Sequence, residues 1–392
     1  MASTTNTRLP SALSDKAVVL YISNQLRLTP LASRPQLAGH PDDKAGMITL
    51  LNNFFKVNFF PAAPIQVSVL FLLFFSCSRT EPEIGFYYWK SSFDLTETEQ
   101  RALDTLEVKH LYIKFFDVDT EGGAAAMPKA PIRFAHGVPE GYRIVPCIFI
   151  TNRTFQGKQD PGALAEQVWD YLQQINTRYG LQPDEYQFDC DWSPSTRQAY
   201  FAFLERINRL NSGASISVTI RLHQYRYPDQ TGVPPADKGT LMYYNMGDIE
   251  DVQESNSLLN NEKGFAYLAE SAYPLPLDVA LPIFSWALAY RLGDLAMIIN
   301  LADQKMLDNE PHLEKISNAV YQVKENFYFE GHYLNEGDLL RFEFPDTQRL
   351  EEAAGRLQKI KSKSGNILFF HLDEPFLQNY PPGFIRSLAG RF

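Results

Sequence analysis

From Ile84 to the end of the chain, two kinds of apolar pattern alternate. Short apolar runs bounded by polar residues predict strands, and longer segments with apolar residues three or four apart predict amphipathic helices. The predicted strands are, in chain order, Ile84–Trp89, His110–Val118, Tyr142–Thr151, Tyr186–Trp192, Ser215–Leu222, Gly239–Asn245, Val279–Ala287 and Asn366–Leu372. The main predicted helices are Thr96–Val108, Gly162–Tyr179, a segment from Ser193 to about Leu210, Ser257–Ala272 and Thr347–Lys361.

Eight strands that alternate with helices over about 300 residues predict a (β/α)8 barrel, which is an α/β TIM barrel, for residues 84–392. An open, doubly wound sheet is the alternative, although the chain has no glycine-rich phosphate-binding fingerprint. The segment between the seventh and eighth strands is too long for one helix. Strand-like patterns over 321–345 predict a small β insertion at about 312–346.

The fourth predicted strand carries acidic residues where a buried strand should be apolar. Its alternation places Glu185, Gln187, Asp189 and Asp191 on one face and aromatic residues on the other. Carboxylates on the inner face of a parallel strand are costly to bury unless they have partners or a chemical task. We therefore expect Asp189 and Asp191 to face a cleft at the carboxyl end of the barrel. An internal salt bridge with Arg221 or Lys114 is the alternative.

Two short motifs carry a resemblance to a known family. The segment Phe188-Asp-Cys-Asp-Trp-Ser193 resembles the strand-four motif Asp-x-Asp-x-Glu of family 18 chitinases and related endoglycosidases. The segment Met242-Tyr-Tyr-Asn-Met-Gly247 resembles their strand-six motif, Met-x-Tyr-Asp followed by glycine. The chain beyond its amino-terminal part also resembles bacterial envelope lipoproteins with a glycosidase-like barrel. The resemblance implies a glycan cleft, and it matches Asp189, Asp191 and Tyr244 to family positions.

The sequence differs from the family motifs at the position of the catalytic acid and at one further acidic position. Ser193 stands where the family has its catalytic Glu, and Asn245 stands where it has an Asp. A serine hydroxyl is too weak an acid to protonate a glycosidic oxygen near neutral pH. One hypothesis is a glycoside hydrolase with rearranged carboxylates, in which Asp191 is nucleophile or acid and its partner is Asp117, Asp119, Asp248, Asp373 or Glu374. The other is a barrel that has lost hydrolysis and binds glycans or serves as an envelope scaffold.

The predicted site collects the polar and aromatic residues at the strand ends, where such barrels hold their active sites. The candidate catalytic residues are Asp189, Asp191, Asp373 and Glu374. The candidate glycan-binding residues are Trp89, Asp117, Trp192, Arg221, His223, Tyr244, Asn245 and Trp286.

Composition and residue spacing limit the kinds of binding partner and cofactor that are expected. The net charge of −10 and the lack of a basic stripe exclude a nucleic-acid partner. The three cysteines, Cys77, Cys147 and Cys190, are far apart and form no CxxC motif. The histidines do not fall in a ligand pattern, so no metal and no cofactor are expected.

An apolar run at 65–76 followed by Cys77 is typical of a bacterial lipoprotein signal, which we place at 47–77. A buried helix or strand is the alternative for this run. Residues 78–83 would then be a tether, and 1–46 a disordered leader or a start-site artefact. This pattern predicts a protein of the bacterial cell envelope, anchored to the membrane by lipid on Cys77, at the periplasmic face or the cell surface.

Overall fold

The computed structural model describes residues 82–120, 125–268, 272–300, 302–360 and 363–392. The predicted leader, the signal segment with Cys77 and the tether up to residue 81 lie outside these residues. The strands, in chain order, are β1 (Ile84–Tyr88), β2 (Ser92–Phe93), β3 (His110–Asp119), β4 (Met127–Lys129), β5 (Arg133–Phe134), β6 (Arg143–Ile150), β7 (Glu185–Asp189), β8 (Ser215–Arg221), β9 (Lys238–Met242), β10 (Leu277–Pro282), β11 (Trp286–Arg291), β12 (Asp294–Asn300), β13 (Leu313–Lys315), β14 (Val320–Val323), β15 (Phe327–Phe329), β16 (His332–Leu334), β17 (Leu339–Glu343) and β18 (Lys363–Phe370).

The helices surround the barrel or connect its strands. In chain order they are α1 (Glu97–Thr105), α2 (Pro161–Tyr179), α3 (Arg197–Leu210), α4 (Leu222–Arg226), α5 (Pro228–Thr231), α6 (Asn261–Tyr267), α7 (Gln304–Asn309), α8 (Thr347–Leu357), α9 (Glu374–Leu377) and α10 (Pro382–Ala389). Local signals fix the longest of them, because Asp160 caps the start of α2, Pro161 is its first residue and Gly180 ends it at φ 66°. Among the helices that the structure describes, none has the length and apolar character needed to cross a bilayer.

Eight parallel strands close into a barrel. Their order is β1-β18-β10-β9-β8-β7-β6-β3, and β1 also pairs with β3 to complete the ring. The predicted (β/α)8 barrel is confirmed, and the open-sheet alternative is wrong. Between β3 and β6, residues 120 and 125–142 form the short strands β4 and β5 and no helix.

The predicted β insertion between the seventh and eighth barrel strands is present, but its sheet begins earlier than residue 312. Five of the seven strands β11 to β17 form an antiparallel sheet in the order β12-β11-β17-β14-β13, and the other two, β15 and β16, pair as a separate hairpin. A small apolar core of its own includes Ile299, Leu340 and Phe342. The sequence pattern joined Val279–Ala287 into one strand because both parts are apolar. In the structure the barrel strand ends at Pro282, and Trp286 starts the insertion.

The lower half of the barrel interior is polar and ion-paired. Glu185 of β7 accepts hydrogen bonds from Ser217 Oγ (2.7 Å) and lies 2.9 Å from Lys238 Nζ, which also binds Asp278 at 2.9 Å. One layer higher, Gln187 accepts a bond from the Tyr87 hydroxyl at 2.8 Å. The predicted inner face of strand four thus fills the barrel with satisfied polar groups.

Candidate functional site

The next layer of the barrel interior, above Gln187, contains one residue from each of the neighbouring strands β3, β6 and β7. Asp189 accepts a hydrogen bond from Thr219 Oγ1 at 2.6 Å. Its Cα partner on β6 is Phe149, whose own partner on β3 is Asp117. Side chains of Cα partners point to the same face of a sheet, so Asp117, Phe149 and Asp189 lie level on the inner face.

Asp191 stands at the mouth of the barrel, two residues beyond Asp189. It is only partly buried, and no group among the described residues donates a hydrogen bond to its carboxyl. Burial raises the pKa of Asp191 to about 6, although the positive charge of Arg221 opposes this rise. A carboxyl with this pKa is partly protonated in mildly acidic solution, so it can donate a proton as well as accept one.

Lys114 is paired inside the barrel, but with Asp117. Its Nζ lies 3.3 Å from both oxygens of the Asp117 carboxyl. An irregularity in β3 between Lys114 and Phe116 turns both members of the pair inward. Burial raises the pKa of Asp117, and the Lys114 ammonium acts in the opposite direction. The Lys114 part of the predicted alternative, an ion pair with Asp189 or Asp191, is therefore wrong, and the part with Arg221 stays a prediction.

Arg221, His223, Tyr244 and Asn245 come from neighbouring strand ends. The Arg221 guanidinium lies 6.0 Å from the centre of the Tyr244 ring, and the Tyr244 hydroxyl donates to Met242 Sδ at 2.9 Å. Burial and the charge of Arg221 lower the pKa of His223 to about 4, so its ring is neutral at ordinary pH. Asn245 adopts φ 54°, and its backbone N–H donates to the Leu258 carbonyl at 2.8 Å.

All three predicted tryptophan platforms are buried, and two of them are fully enclosed. Trp192 donates from Nε1 to the Thr231 carbonyl at 3.0 Å and stacks on Tyr200. Trp286 donates from Nε1 to Glu343 at 2.9 Å. Both side chains are less than 2% exposed, which leaves no ring face for a sugar. Strand alternation explains Trp192, because it shares the outer face with the apolar residues of β7. Trp89 is also buried, at 6% exposed, and packs against Tyr87 and Phe370.

The predicted acids at the last strand end are tied to the outer layer. Asp373 lies 2.9 Å from Lys90 Nζ, which also binds Glu99 of α1 at 2.9 Å. Glu374 accepts from Thr98 Oγ1 at 2.9 Å, also on α1.

The other carboxylates proposed as partners for Asp191 also have different surroundings. Asp119 accepts from Arg153 Nε at 2.7 Å and from Thr151 Oγ1 at 2.6 Å, and Asp248 is exposed and accepts from the backbone of Glu250. Of the predicted partners, the structure brings Asp117 into the inner layer with Asp189.

His371 and Lys114 belong to this end of the barrel and are missing from the predicted site. His371 follows β18, and burial lowers its pKa to about 4. Its Nδ1 is buried and has no hydrogen-bond partner within the part of the chain that the structure describes. A histidine directly after a barrel strand was the available signal for His371. The pairing of Lys114 with Asp117 has no such signal, because the irregularity in β3 cannot be read from spacing. Groups of three or more potential metal-ligating side chains do not occur among the described residues.

Comparison with known proteins gives a likeness in fold. No family model matches the sequence, and no curated protein is detectably similar. The spore cortex-lytic enzyme SleL of Bacillus cereus is 17% identical with a TM-score of 0.46, over 80% of this chain and 75% of that one. The chitinase RmChi1 of Rhizomucor miehei is 10% identical with a TM-score of 0.44, over 78% and 99%.

Human YKL-39, described as a pseudo-chitinase with retained chitooligosaccharide binding, is 9% identical with a TM-score of 0.45, over 79% of this chain and 100% of that one. At these values the likeness extends to the fold alone. The closed ring of parallel strands makes this chain a (β/α)8-barrel protein.

Proposed function

We propose that the barrel binds a glycan at its carboxyl end and hydrolyses it, with Asp191 as the proton donor. One observation carries the proposal: a partly exposed carboxyl without a hydrogen-bond donor, at the mouth of a barrel, whose pKa burial raises to about 6. Protonation of the leaving oxygen by such a group is the first requirement of glycoside hydrolysis. The position two residues beyond, Ser193, cannot supply that proton.

The inner layer below Asp191 supplies the second carboxylate in this proposal. Asp117 and Asp189 lie level there, and Lys114 stands beside Asp117. A carboxylate at this depth would stabilise the positive charge that develops on the sugar ring, or activate water. Arg221 and neutral His223 would bind sugar hydroxyls at the rim.

A second candidate is glycan binding without hydrolysis, and the surroundings of Ser193 favour it. The Ser193 backbone N–H donates to Thr196 Oγ1 at 2.9 Å, and its hydroxyl lies 2.9 Å from that of Ser195. The family's acid position is therefore part of a local turn before α3. Under this candidate the carboxylates serve only to hold hydroxyl groups.

Replacement of Asp191 by Asn separates the two candidates. If Asp191 donates the proton, kcat should fall by about 10²–10⁴-fold while the glycan still binds. Activity of the wild type should decline as the pH rises above about 6, because the required form of Asp191 is protonated, and this limb should vanish in the variant. Release of reducing ends from a panel of bacterial and plant glycans measures the fall in kcat. A pH profile of kcat measures the decline of activity above about pH 6 and its absence in the variant.

Asp170→Asn on the exposed face of α2 is the matched control, and it should leave kcat unchanged. Hydrolysis that survives Asp191→Asn removes Asp191 as proton donor. Calorimetric binding of a glycan that the wild type does not cleave favours the second candidate.

We further propose that the protein is a lipid-anchored component of the bacterial cell envelope. The support is the apolar run at 65–76 followed by Cys77. Cells grown with an alkyne-labelled fatty acid should label the wild type and not Cys77→Ser. A labelled Cys77→Ser variant, or a mature amino terminus within residues 1–46, would contradict the anchor.

A further inference from the structure

The hairpin β15–β16 of the insertion displays two tyrosines side by side. Tyr328 and Tyr333 are Cα partners across its two strands. Their exposed fractions are 74% and 46%, and their ring centroids are 5.0 Å apart with an interplanar angle of 58°. Large aromatic side chains with this much exposed surface, placed next to each other, form a ready contact surface.

The hairpin that carries the two rings is anchored on its opposite face. Phe329 and Leu334 are buried in the core of the insertion. Phe327 stacks on His312 with ring centroids 4.8 Å apart. The turn at Glu330 and Gly331 has φ values of 47° and 79°, which suits the tight hairpin turns that match strand twist. The rings are therefore held in place before any ligand arrives, which lowers the entropic cost of binding.

The tyrosine pair lies near the end of the insertion sheet that is opposite Trp286 and Glu343. Trp286 and Glu343 pair at the near end of β11 and β17, and Tyr290 pairs with Leu339 at the other end. The hairpin is inserted between β14 and β17 at that far end. Six strand residues span about 20 Å, so the pair is well separated from Trp286 and Glu343.

We propose that Tyr328 and Tyr333 form a stacking surface for a neutral polysaccharide, distinct from the site at the barrel mouth. The C–H groups on one face of a pyranose carry partial positive charge and meet the negative face of an aromatic ring favourably. The two phenol hydroxyls can in addition bond to sugar hydroxyls.

The charged residues around the tyrosine pair favour an uncharged ligand over an anionic one. Residues 324–336 contain three carboxylates and one lysine, and the nearby Asp338 is buried in an ion pair with Arg291. Such a surface repels nucleic acid and anionic lipid, whereas carboxylate and phenol oxygens are suitable hydrogen-bond partners for an uncharged glycan.

Affinity electrophoresis tests this surface with the intact protein. Wild type should be retarded in native gels that contain one of three probes: a soluble β-1,4-glucan, glycol chitin or a mannan. The double variant Tyr328→Ala, Tyr333→Ala should lose retardation, which corresponds to a dissociation constant raised by about tenfold or more. The double variant Tyr328→Phe, Tyr333→Phe keeps both rings and should remain retarded.

Two controls make the outcome specific. Ile316→Ala removes an exposed apolar side chain next to β13, in the five-stranded sheet of the insertion and outside the hairpin, and it should migrate as the wild type does. Asp191→Asn should lose hydrolysis and yet be retarded normally, so failure of the proposed activity and failure of this surface are distinguishable. Full retardation of the double alanine variant overturns the proposal. Wild type that is retarded by none of the three probes, or that binds phosphatidylglycerol vesicles instead, overturns it as well.

Discussion

Replacement of Lys238 by Met should lower the free energy of unfolding by about 3–5 kcal/mol, the range found when one partner of a buried ion pair is removed. The Lys238 ammonium lies 2.9 Å from both Glu185 and Asp278, whose side chains are 5% and 0% exposed. Without the lysine, two carboxylates remain inside the barrel with no cation between them. Their desolvation would then be uncompensated.

Urea unfolding at several pH values measures this effect. The difference in unfolding free energy between the wild type and Lys238→Met should shrink as the pH is lowered, because a protonated carboxyl costs less to bury than a carboxylate. Lys315→Met is the matched control: its ion pair with Asp308 is about 40% exposed on both sides, and the change should cost less than about 1 kcal/mol. A loss from Lys238→Met as small as that of the control would mean that other groups balance the two carboxylates.

Replacement of Glu343 by Ala should be destabilising to a similar extent, by about 3–5 kcal/mol. The carboxylate is 1% exposed and accepts hydrogen bonds from Ser257 Oγ (2.6 Å), the Leu258 backbone (3.1 Å) and Trp286 Nε1 (2.9 Å). Its other oxygen lies 2.7 Å from Arg341 Nε. The substitution leaves these donors, including a buried guanidinium, without their acceptor.

Glu343 also joins the insertion to the loop that follows the sixth barrel strand. That loop is closed by backbone bonds from Asn245 to Leu258 and from Met246 to Ser257. Glu343→Ala should therefore weaken glycan binding at the mouth as well as lower stability. Glu343→Gln should have a stability and a glycan affinity between those of Glu343→Ala and the wild type.

Urea unfolding and calorimetric glycan binding measure the two effects of Glu343→Ala. Glu314→Ala, an exposed residue of the same sheet, should change stability by less than about 0.5 kcal/mol and leave binding unchanged. Normal binding by a folded Glu343→Ala protein would show that the loop keeps its shape without this carboxylate.

The local pattern of apolar and polar residues was sufficient to predict most of the barrel strands. Each predicted barrel strand overlaps an observed one, because parallel strands buried on both faces are short continuous apolar runs. The start of the insertion was misjudged at Pro282–Trp286, where two apolar strands follow each other and only the change of sheet separates them. No periodicity marks such a change, since both strands bury apolar residues.

The candidate site could be predicted in part. Alternation along β7 identified its inner face, because a strand reverses its side chains at every residue. It could not identify the partners: Asp373 and Glu374 also follow a barrel strand within a few residues, yet they are bound to Lys90 and Thr98 in the outer layer. Those partners are more than 270 positions away in the chain.

The sequence by itself determined the barrel, the presence of an insertion between its last two strands and the acidic inner face of the fourth strand. These features follow from the periods of helix and strand, which are local properties of the backbone. Only the tertiary structure decided that Asp117 and Lys114 enter the barrel together, that Trp192 and Trp286 are enclosed, and that burial raises the pKa of Asp191 to about 6. Burial and ion pairing depend on residues brought together from distant parts of the chain, through strand register and one irregularity in β3.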